Sequence, residues 1–379
     1  MSCDHFGLCG GCQLQDLPYL EQLRRKERAI GEIFSREIEP IVPCDPPWEY
    51  RNKMEFSFSQ NKKGDHFLGL WMKRGRVLTL DMCALVPSWM IDVLHRIKRW
   101  WEASGLSAYH FYHDTGALRT LTMREGRRTG QKLALLTVSG HLAWQLDENQ
   151  LELFRQALPD IDVICVRKQI LEKGSPTRFE ERFLTHQKHI QEILYDSDGR
   201  PWFFNIRPTS FFQPNTVQAE KIYQTALHFA SLEQGQIVFD LYCGTGSLGI
   251  VAAPHVRKVV GIEQCYDAVH DANENSAINK VNDAFQIYQG DVGEVLPFLD
   301  LNPTLLFIDP PREGLSQKAL KNVILLNAPK IVYISCNPKT QFLNCQELLA
   351  HGYHIEKIKP IDQFPHTPHI ENIVLLTRL

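Results

Sequence analysis

A cysteine follows one of the most strand-like segments of the chain, at the point where a polar turn begins. The segment Ile-Val-Tyr-Ile at 331–334 has strand-forming character and runs into Ser-Cys-Asn-Pro at 335–338. Open α/β sheets bind their ligands just outside the carboxyl ends of their strands, so a thiol there is placed for nucleophilic chemistry. For an isolated cysteine, the alternative is a small buried hydrophobic residue. We favour chemistry because two further loops have the composition to meet Cys336.

The second loop follows the strand-like segment 237–239 and reads Asp-Leu-Tyr-Cys-Gly-Thr-Gly over 240–246. Its glycines permit a tight turn and a close approach of a ligand to the backbone. Together with Gly249 they satisfy the G-x-G-x-x-G pattern, so a nicotinamide cofactor is one interpretation. The next strand-like segment ends in Glu263, an acid placed to hold two ribose hydroxyls. This region therefore predicts an adenosine-containing cofactor, either NAD or S-adenosylmethionine.

The third loop, Asp-Pro-Pro-Arg at 309–312, is stiff and polar and also follows a strand-like segment. A hydride transfer requires neither this loop nor Cys336. Methyl transfer to a base uses both, because one loop frames the base and the methyl donor while the other supplies a nucleophile. Further on, a segment with two prolines and two histidines contains Glu371, a candidate general base. We interpret His366 of that segment as a hydrogen-bonded structural group.

Three cysteines lie close together at the start of the chain, in the arrangement Cys3-x5-Cys9-Gly-Gly-Cys12. Such spacing, with glycines that let the backbone wrap tightly, is typical of a metal site. Zinc fingers usually combine two CxxC pairs or add histidines, whereas three close thiolates and a remote fourth suit an iron–sulfur cluster. Cys83 is the predicted fourth ligand and Cys44 is its rival.

The elements that position these residues fall into two patterns. After residue 207, strand-like and helix-like segments alternate, which predicts a doubly wound α/β sheet. Residues 51–204 favour strands separated by turn residues and predict a mixed, largely antiparallel α+β domain. Residues 18–37 predict one amphipathic helix, followed by a proline-rich linker. The strand-like segments of the doubly wound sheet are 237–239, 259–262, 285–288, 305–308, 331–334 and 373–379.

Composition excludes some classes of protein. The chain has 379 residues, of which 44% are hydrophobic and 22% charged, as in soluble globular proteins of two or three domains. Without a long apolar run or a signal-peptide pattern, we expect a cytoplasmic protein that has no membrane partner and whose ten cysteines form no disulfides. Net charge is −3, yet residues 50–135 hold 15 basic against 7 acidic residues. This excess of positive charge predicts a basic face for phosphates.

Taken together, these loops and the cysteine-rich start resemble the RNA uracil-C5 methyltransferase family, which makes 5-methyluridine in ribosomal and transfer RNA. The resemblance extends over essentially the whole chain. The motifs that carry it are Cys3-Asp-x4-Cys9-Gly-Gly-Cys12-Gln-Leu-Gln15, Ser210-Phe-Phe-Gln213-Pro-Asn215, Asp240-Leu-Tyr-Cys-Gly244-x-Gly246, Asp309-Pro-Pro-Arg312, Ser335-Cys-Asn-Pro338 and Asp362-x-Phe-Pro-His-Thr-x-His-x-Glu371.

The resemblance implies an architecture and a set of roles. Residues 207–379 would form a class I, Rossmann-like methyltransferase domain, on which a helix within 15–46 packs. Residues 1–14 and 47–206 would form an iron–sulfur and central RNA-binding domain. Cys336 would be the nucleophile and Glu371 the base. The implied contacts of S-adenosylmethionine are Gln213, Tyr242, Glu263, Asp291 and Asp309. The implied ligands of a 4Fe-4S cluster are Cys3, Cys9, Cys12 and Cys83.

Two features of the sequence depart from the pattern of some family members. Ser247 stands where some members carry a cofactor-binding asparagine. Only two residues precede Cys3, so we do not expect the small N-terminal RNA-binding barrel of some ribosomal-RNA members. The cysteine cluster is typical of the ribosomal branch. We therefore expect a monomer that acts on 23S ribosomal RNA, with transfer RNA as the alternative substrate.

Two functions from other classes remain open at this point. An amino-group nucleic-acid methyltransferase would also use an acid-Pro-Pro loop. It usually carries an aromatic residue after the prolines, where this chain has Arg312, and it needs no covalent thiol. A non-catalytic iron–sulfur RNA-binding protein would keep the basic central region, but it would have no use for Cys336 and Glu371 on separate loops.

Overall fold

The computed structural model describes residues 3–72, 75–172 and 174–378, and the chain divides into two compact units. The first unit combines the N-terminal residues up to Asp16 with Trp48–Gln191. The second combines Leu17–Pro47, which contains helix α1 (Tyr19–Phe34), with the residues from Glu192 onward. Within these described ranges, no helix is both long and apolar enough to cross a membrane.

The first unit is built on a seven-stranded sheet in which every neighbouring pair is antiparallel except the fifth and sixth strands. The predicted mixed, largely antiparallel α+β pattern is therefore confirmed for this sheet. The spatial order is β3-β2-β1-β4-β5-β6-β7. The elements are β1 (Lys53–Gln60), β2 (His66–Trp71), β3 (Val77–Thr79), α2 (Ser88–Ser104), β4 (Leu118–Glu125), β5 (Lys132–Ser139), α3 (Glu148–Gln156), β6 (Val163–Ile170) and β7 (Arg178–Phe183).

Helix α2 covers one face of this sheet because its apolar residues recur at helical spacing. Val93, Ile97 and Trp101 are fully buried and belong to one core cluster with Phe56 of β1 and Leu121 of β4. Each fully buried aliphatic side chain of this kind contributes about 1.5–3 kcal/mol. Lys73 and Arg74, which we counted in the basic region, lie outside the described residues.

The second unit contains the predicted doubly wound sheet, in the order β12-β11-β10-β13-β14-β16-β15. The strands from β10 to β14 are parallel, and β16 runs antiparallel between β14 and β15. The elements are β8 (Ile190–Tyr195), β9 (Pro201–Ile206), α4 (Thr216–Ala230), β10 (Ile237–Leu241), α5 (Ser247–Ala252), β11 (Lys258–Glu263), α6 (Tyr266–Ile278), β12 (Phe285–Gln289), α7 (Val292–Val295), β13 (Leu305–Ile308), α8 (Gln317–Leu326), β14 (Lys330–Ser335), α9 (Pro338–Ala350), β15 (Tyr353–Ile361) and β16 (Glu371–Arg378).

Two boundaries in this unit differ from those read from the sequence. The sequence assigns residues 192–206 to the central domain, whereas they belong to the second unit, where the backbone of β9 donates to the side chains of Asn275 in α6 and of Asn279 directly after it. The final strand was expected over 373–379. It forms β16 from Glu371 to Arg378, and Leu379 lies outside the described residues.

Helix α1 packs within the second unit and carries a charge in its apolar stripe. Leu23, Ile30 and Phe34 are buried, and Lys26 lies between them at helical spacing and is equally buried. Its ammonium group bonds the Asp362 carboxylate at 2.5 Å and the Phe364 carbonyl oxygen at 3.0 Å. The sequence predicts a helix that extends to residue 37. The helix ends earlier, at Phe34, because residue 35 adopts the left-handed conformation.

The same helix holds the loop that leads into β16. The Gln22 side chain accepts a hydrogen bond from the His366 backbone N–H at 2.9 Å, and its amide nitrogen lies 3.1 Å from the His366 Nδ1 atom. The other ring nitrogen of His366 lies 3.0 Å from the Pro47 carbonyl oxygen. These contacts agree with a structural role for His366, and they fix the backbone that precedes Glu371.

Replacing Lys26 by alanine leaves the Asp362 carboxylate buried without its cation. We expect the free energy of unfolding to fall by about 3–5 kcal/mol, the usual effect of breaking a buried ion pair. Arg25→Ala on the same helix is the matched control. Its guanidinium pairs with Glu21 at the surface, so the loss should stay below about 1 kcal/mol. Urea unfolding of both variants measures the difference, and equal losses would contradict this account.

Candidate active site

The pairing of β14 with β16 brings two of the predicted residues to the same end of the sheet. Ser335 lies opposite Asn372 in this pairing. Cys336 directly follows β14 and Glu371 is the first residue of β16, so the two residues lie together where the pair ends. The buried Gln341 side chain fixes this register, because its amide donates to the carbonyl oxygens of Tyr333 and Asn372. Asn372 returns a hydrogen bond to Gln341 at 2.8 Å.

Burial and neighbouring charges set the protonation of these groups. Burial, reinforced by the charges of Glu371 and Asp309, raises the pKa of the Cys336 thiol to about 11. Burial and then Asp309 also raise the pKa of Glu371 well above its ordinary value, and burial raises that of Asp309 to about 7. Arg312 acts in the opposite direction on both Cys336 and Glu371. The site therefore gathers a thiol, two carboxyl groups and one guanidinium.

The Asp309–Arg312 loop is tied to the turn that carries the cysteine. The Asn337 amide and the Thr340 hydroxyl both donate to the Arg312 carbonyl oxygen, at 2.9 and 3.1 Å. The Arg312 guanidinium lies 3.2 Å from the Nδ1 atom of His369, which belongs to the segment that precedes Glu371. Our sequence analysis named no site role for Arg312. A cation directly after an acid-Pro-Pro turn was the available signal.

The glycine loop after β10 leaves room for a ligand. Gly244 has a φ of +55°, and nothing lies within 4 Å of the position that a side chain would take there. Both oxygens of Glu263 accept backbone hydrogen bonds, from Gly244 at 3.0 Å and from Cys265 at 2.8 Å. Gly249 serves packing, because an added Cβ would lie 2.7 Å from the Asp240 carboxylate. The loop is therefore a fixed cradle beside an acid.

The other residues expected to contact a cofactor are placed as follows. Tyr242 follows β10, and its pKa is raised to about 12 by burial and by the charge of Asp291, which follows β12. Asp309 follows β13, which pairs with β10 on the side opposite β11. Gln213 is buried, and its side-chain oxygen accepts a hydrogen bond from Gln363 at 3.0 Å. Tyr242, Glu263, Asp291 and Asp309 thus share the carboxyl edge of the parallel strands, which is where open sheets bind ligands.

Ser247, which departs from the family pattern, is occupied within the fold. Its hydroxyl lies 3.2 Å from the Thr245 hydroxyl. Ser247 is itself buried at the start of α5. Its contacts therefore stabilise the glycine loop from behind.

The four cysteines predicted to hold a cluster come together in the first unit. The charges of Cys3, Cys9 and Cys83 all act on Cys12, and burial with these charges raises the pKa of Cys12 to about 12. Burial raises the pKa of Cys83, and the backbone N–H groups of Leu85 and Val86 act in the opposite direction. The rival Cys44 belongs to the second unit, where its sulfur lies 3.4 Å from the Asn215 amide nitrogen.

The spacing of these sulfurs bears on which group they fit. Within the part of the chain that the structure describes, no three of them lie within 4.8 Å of one another. Four thiolates on one zinc ion are separated by only about 3.8 Å, given Zn–S bonds of about 2.3 Å. As placed, the four sulfurs are not spaced as the ligands of a single zinc ion are. Gly10 lets their loop approach β2, because an added Cβ would lie 2.9 Å from the Trp71 carbonyl oxygen.

A sheet of this order, with a glycine loop after its first strand and an acid after its second, defines an S-adenosylmethionine-dependent methyltransferase fold. The tRNA (uracil-5-)-methyltransferase family model matches residues 153–290 and 296–379. An uncharacterized RNA methyltransferase of Protochlamydia amoebophila is 46% identical over 99% of this chain and 90% of its own length. Another, from Clostridium tetani, is 35% identical over 99% of this chain and 83% of its own length. The chain belongs to the tRNA (uracil-5-)-methyltransferase family.

A solved structure supports the same assignment. The tRNA (uracil-54, C5)-methyltransferase of Pyrococcus abyssi, in complex with S-adenosyl-L-homocysteine, is 27% identical to this chain with a TM-score of 0.77. The match covers 98% of this chain and 86% of that chain. Because that enzyme holds the demethylated form of S-adenosylmethionine, the comparison favours this cofactor over the nicotinamide interpretation.

The effect of the Glu371 charge on the Cys336 thiol can be tested through the reactivity of that thiol. After burial, the charge of Glu371 is the largest cause of the raised pKa of the thiol, so Glu371→Gln should lower that pKa and speed alkylation of Cys336 at alkaline pH. Mass spectrometry of iodoacetamide-treated protein gives the rate for each cysteine. Cys345, whose pKa is raised to about 12 by burial alone, is the internal control. Unchanged alkylation of Cys336 would contradict the geometry.

Proposed function

We propose that this protein methylates C5 of a specific uridine in RNA, using S-adenosylmethionine. The observation that carries the proposal is the meeting of Cys336 and Glu371 beside Asp309, at the carboxyl edge of a methyltransferase sheet. An amino-group methyltransferase needs an acidic loop but has no use for a thiol and a second carboxyl group at that place. The Pyrococcus abyssi relative is a tRNA (uracil-54, C5)-methyltransferase, which supports the same chemistry.

C5 of uracil is a poor nucleophile, and Cys336 corrects this by covalent addition. Its thiolate forms a bond to C6, and the C5–C6 π electrons move to make an enolate with electron density on C5. C5 then takes the methyl group of S-adenosylmethionine, whose S–CH3 bond breaks with its electron pair left on sulfur, so that S-adenosylhomocysteine is the leaving group. Glu371 removes the C5 proton, and the electrons of that C–H bond restore the C5–C6 double bond and expel the Cys336 thiolate. The uracil leaves its stack so that both of its faces can be reached.

The cofactor residues fit S-adenosylmethionine, which supplies an electrophilic methyl group and a positive charge. Glu263 is held by two backbone N–H groups and directs its remaining lone pairs toward the ribose hydroxyls. Tyr242, Asp291, Asp309 and Gln213 contact the rest of the molecule. A bound positive charge lowers the pKa of a nearby carboxyl group, so Glu371 becomes ionised as the site fills. Its raised intrinsic pKa then makes it a strong base for the C5 proton.

The first unit, on this proposal, is the iron–sulfur and RNA-binding part of a cytoplasmic monomer. Cys3, Cys9, Cys12 and Cys83 would hold a 4Fe-4S cluster, and the backbone N–H groups of Leu85 and Val86 favour the thiolate form of Cys83 that such a cluster requires. The covalent scheme needs no electron from it, so we assign the cluster a role in structure or RNA contact. The cysteine motif favours 23S ribosomal RNA as substrate. Transfer RNA is the second candidate, favoured by the activity of the Pyrococcus abyssi relative.

The cluster is tested by analysis of metal and sulfide. Protein purified without oxygen should be brown and should contain iron and acid-labile sulfide, and Cys12→Ser should lose both. Cys44→Ser is the matched control, because Cys44 is an equally buried cysteine that belongs to the other unit. Stoichiometric zinc without sulfide in the wild type would contradict the assignment. Loss of iron in the Cys44 variant would make that residue a ligand.

The covalent step is tested by the different failures of two variants. Cys336→Ala should bind RNA without forming an adduct, because nothing activates C5. Glu371→Gln keeps the nucleophile but cannot remove the C5 proton, so a methylated protein–RNA adduct should accumulate on denaturing gels. Unmodified 23S RNA and unmodified tRNA, tested separately, show which one is trapped. An adduct in Cys336→Ala would move the nucleophile elsewhere, with Cys243 as the next candidate. An active Cys336→Ala enzyme would overturn the mechanism.

A further inference from the structure

A loop of the first unit presents an unusual run of rings to solvent. Residues 109–113 read Tyr-His-Phe-Tyr-His, and they connect α2 to β4. Phe111 is 74% exposed and Tyr112 is 88% exposed, and both flanking histidines are exposed as well. Exposed aromatic clusters of this kind commonly mark an interaction site, because burying such rings against a partner is favourable.

The loop is held in shape by contacts that leave these rings unused. His110 and Thr115 pair across it as an isolated antiparallel bridge, with a backbone hydrogen bond of 2.7 Å. The Tyr109 hydroxyl donates to the Asp114 carboxylate at 2.9 Å, and the Arg119 guanidinium lies 3.4 Å above the Tyr109 ring. The tip is therefore a preformed platform, which lowers the entropic cost of binding.

The turn requires a glycine where the loop rejoins the sheet. Gly116 has a φ of +90°, and an added Cβ would lie 2.1 Å from the Ala108 carbonyl oxygen. Asp114, two residues earlier, also has a positive φ, of +48°. Two left-handed residues fold the chain sharply back, and the aromatic tip projects from this turn.

The geometry of the rings fits flat partners. The His110 and His113 rings are stacked, with centroids 4.5 Å apart and planes inclined by 28°. The Phe111 and Tyr112 rings are nearly perpendicular, at 78°, with centroids 5.7 Å apart. Phe111 and Tyr112 thus touch each other edge to face and cover little of each other's faces.

The composition and charge of the region favour RNA over a protein partner. The tip contains no aliphatic side chain, whereas phenyl, phenol and imidazole rings are those on which unpaired bases stack. The carboxylate of Asp114, which directly follows the tip, already accepts a hydrogen bond from the Tyr109 hydroxyl. The loop also lies within residues 50–135, whose excess of positive charge suits a phosphate backbone.

We propose that the 110–113 tip is a stacking platform for unpaired bases of the RNA substrate, with Phe111 and Tyr112 as its principal surfaces. The inference rests on the proposed function in one respect, that the partner is RNA. It adds a second point of RNA recognition to the uridine site, carried by a different unit of the chain. Such a platform selects single-stranded or looped RNA over duplex.

The test separates stacking from general apolar contact. Phe111→Leu/Tyr112→Leu keeps apolar side chains but removes the rings, and Phe111→Trp/Tyr112→Trp keeps stacking surfaces. Binding to an unmodified 23S rRNA transcript should weaken by about 5-fold or more for each ring lost in the leucine variant. The tryptophan variant should stay close to wild type. Phe298→Leu, which replaces an 85% exposed phenylalanine of the other unit, is the control and should bind normally.

Two further readouts make each outcome decisive. The slope of log affinity against log salt should be the same in the leucine variant and in wild type, because stacking releases no counterions. The melting temperature should also be unchanged, because the replaced rings are exposed. The platform would be overturned if the leucine variant bound RNA with wild-type affinity, or if the leucine and tryptophan variants lost affinity equally. In either case, methylation of the transcript by the wild type would leave the proposed function intact. A wild type that neither binds nor methylates RNA would instead overturn the proposed function and the platform together.

Discussion

The antiparallel pairing of β14 with β16 is the constraint on which the rest of the site depends. Because Ser335 lies opposite Asn372, the thiol of Cys336 and the carboxyl group of Glu371 share one end of the sheet. A one-residue slip would turn every side chain of β16 to the other face and separate them. The buried Gln341 bridges both strands, and α1 holds the loop before β16 through Gln22 and Lys26. Buried polar contacts thus fix the separation between Cys336 and Glu371.

Burial at this edge has an electrostatic consequence that suits acid–base work. Glu371 is buried, Asp309 and Cys336 are half-buried, and one guanidinium, that of Arg312, opposes their negative charge. Each negative charge makes the next ionisation harder, which keeps the pKa values of Cys336 and Glu371 high. A positively charged ligand at the same edge reverses that balance. The protonation of the site is therefore coupled to whether the crevice is filled.

The sequence predicted the parallel strands β10 to β14 well, because buried parallel strands read as short apolar runs that end in polar turns. It did not predict β15, whose segment mixes charges with Pro360, or β7, which is almost wholly exposed and charged. Lys26 was missed because a lysine in an apolar stripe has no visible partner until the chain folds. Asp362, the partner, lies more than 300 residues away. The aromatic residues of the tip can be read from the sequence, but their exposure to solvent cannot.

The identity of the modified nucleoside tests the central claim most directly. Unmodified RNA is incubated with the protein and S-adenosylmethionine carrying an isotopically labelled methyl group, then digested to nucleosides and analysed by mass spectrometry against standards. The account predicts that the label appears in 5-methyluridine, and that Cys336→Ala incorporates none. Label in an amino-methylated adenosine, cytidine or guanosine, with 5-methyluridine absent, would contradict it.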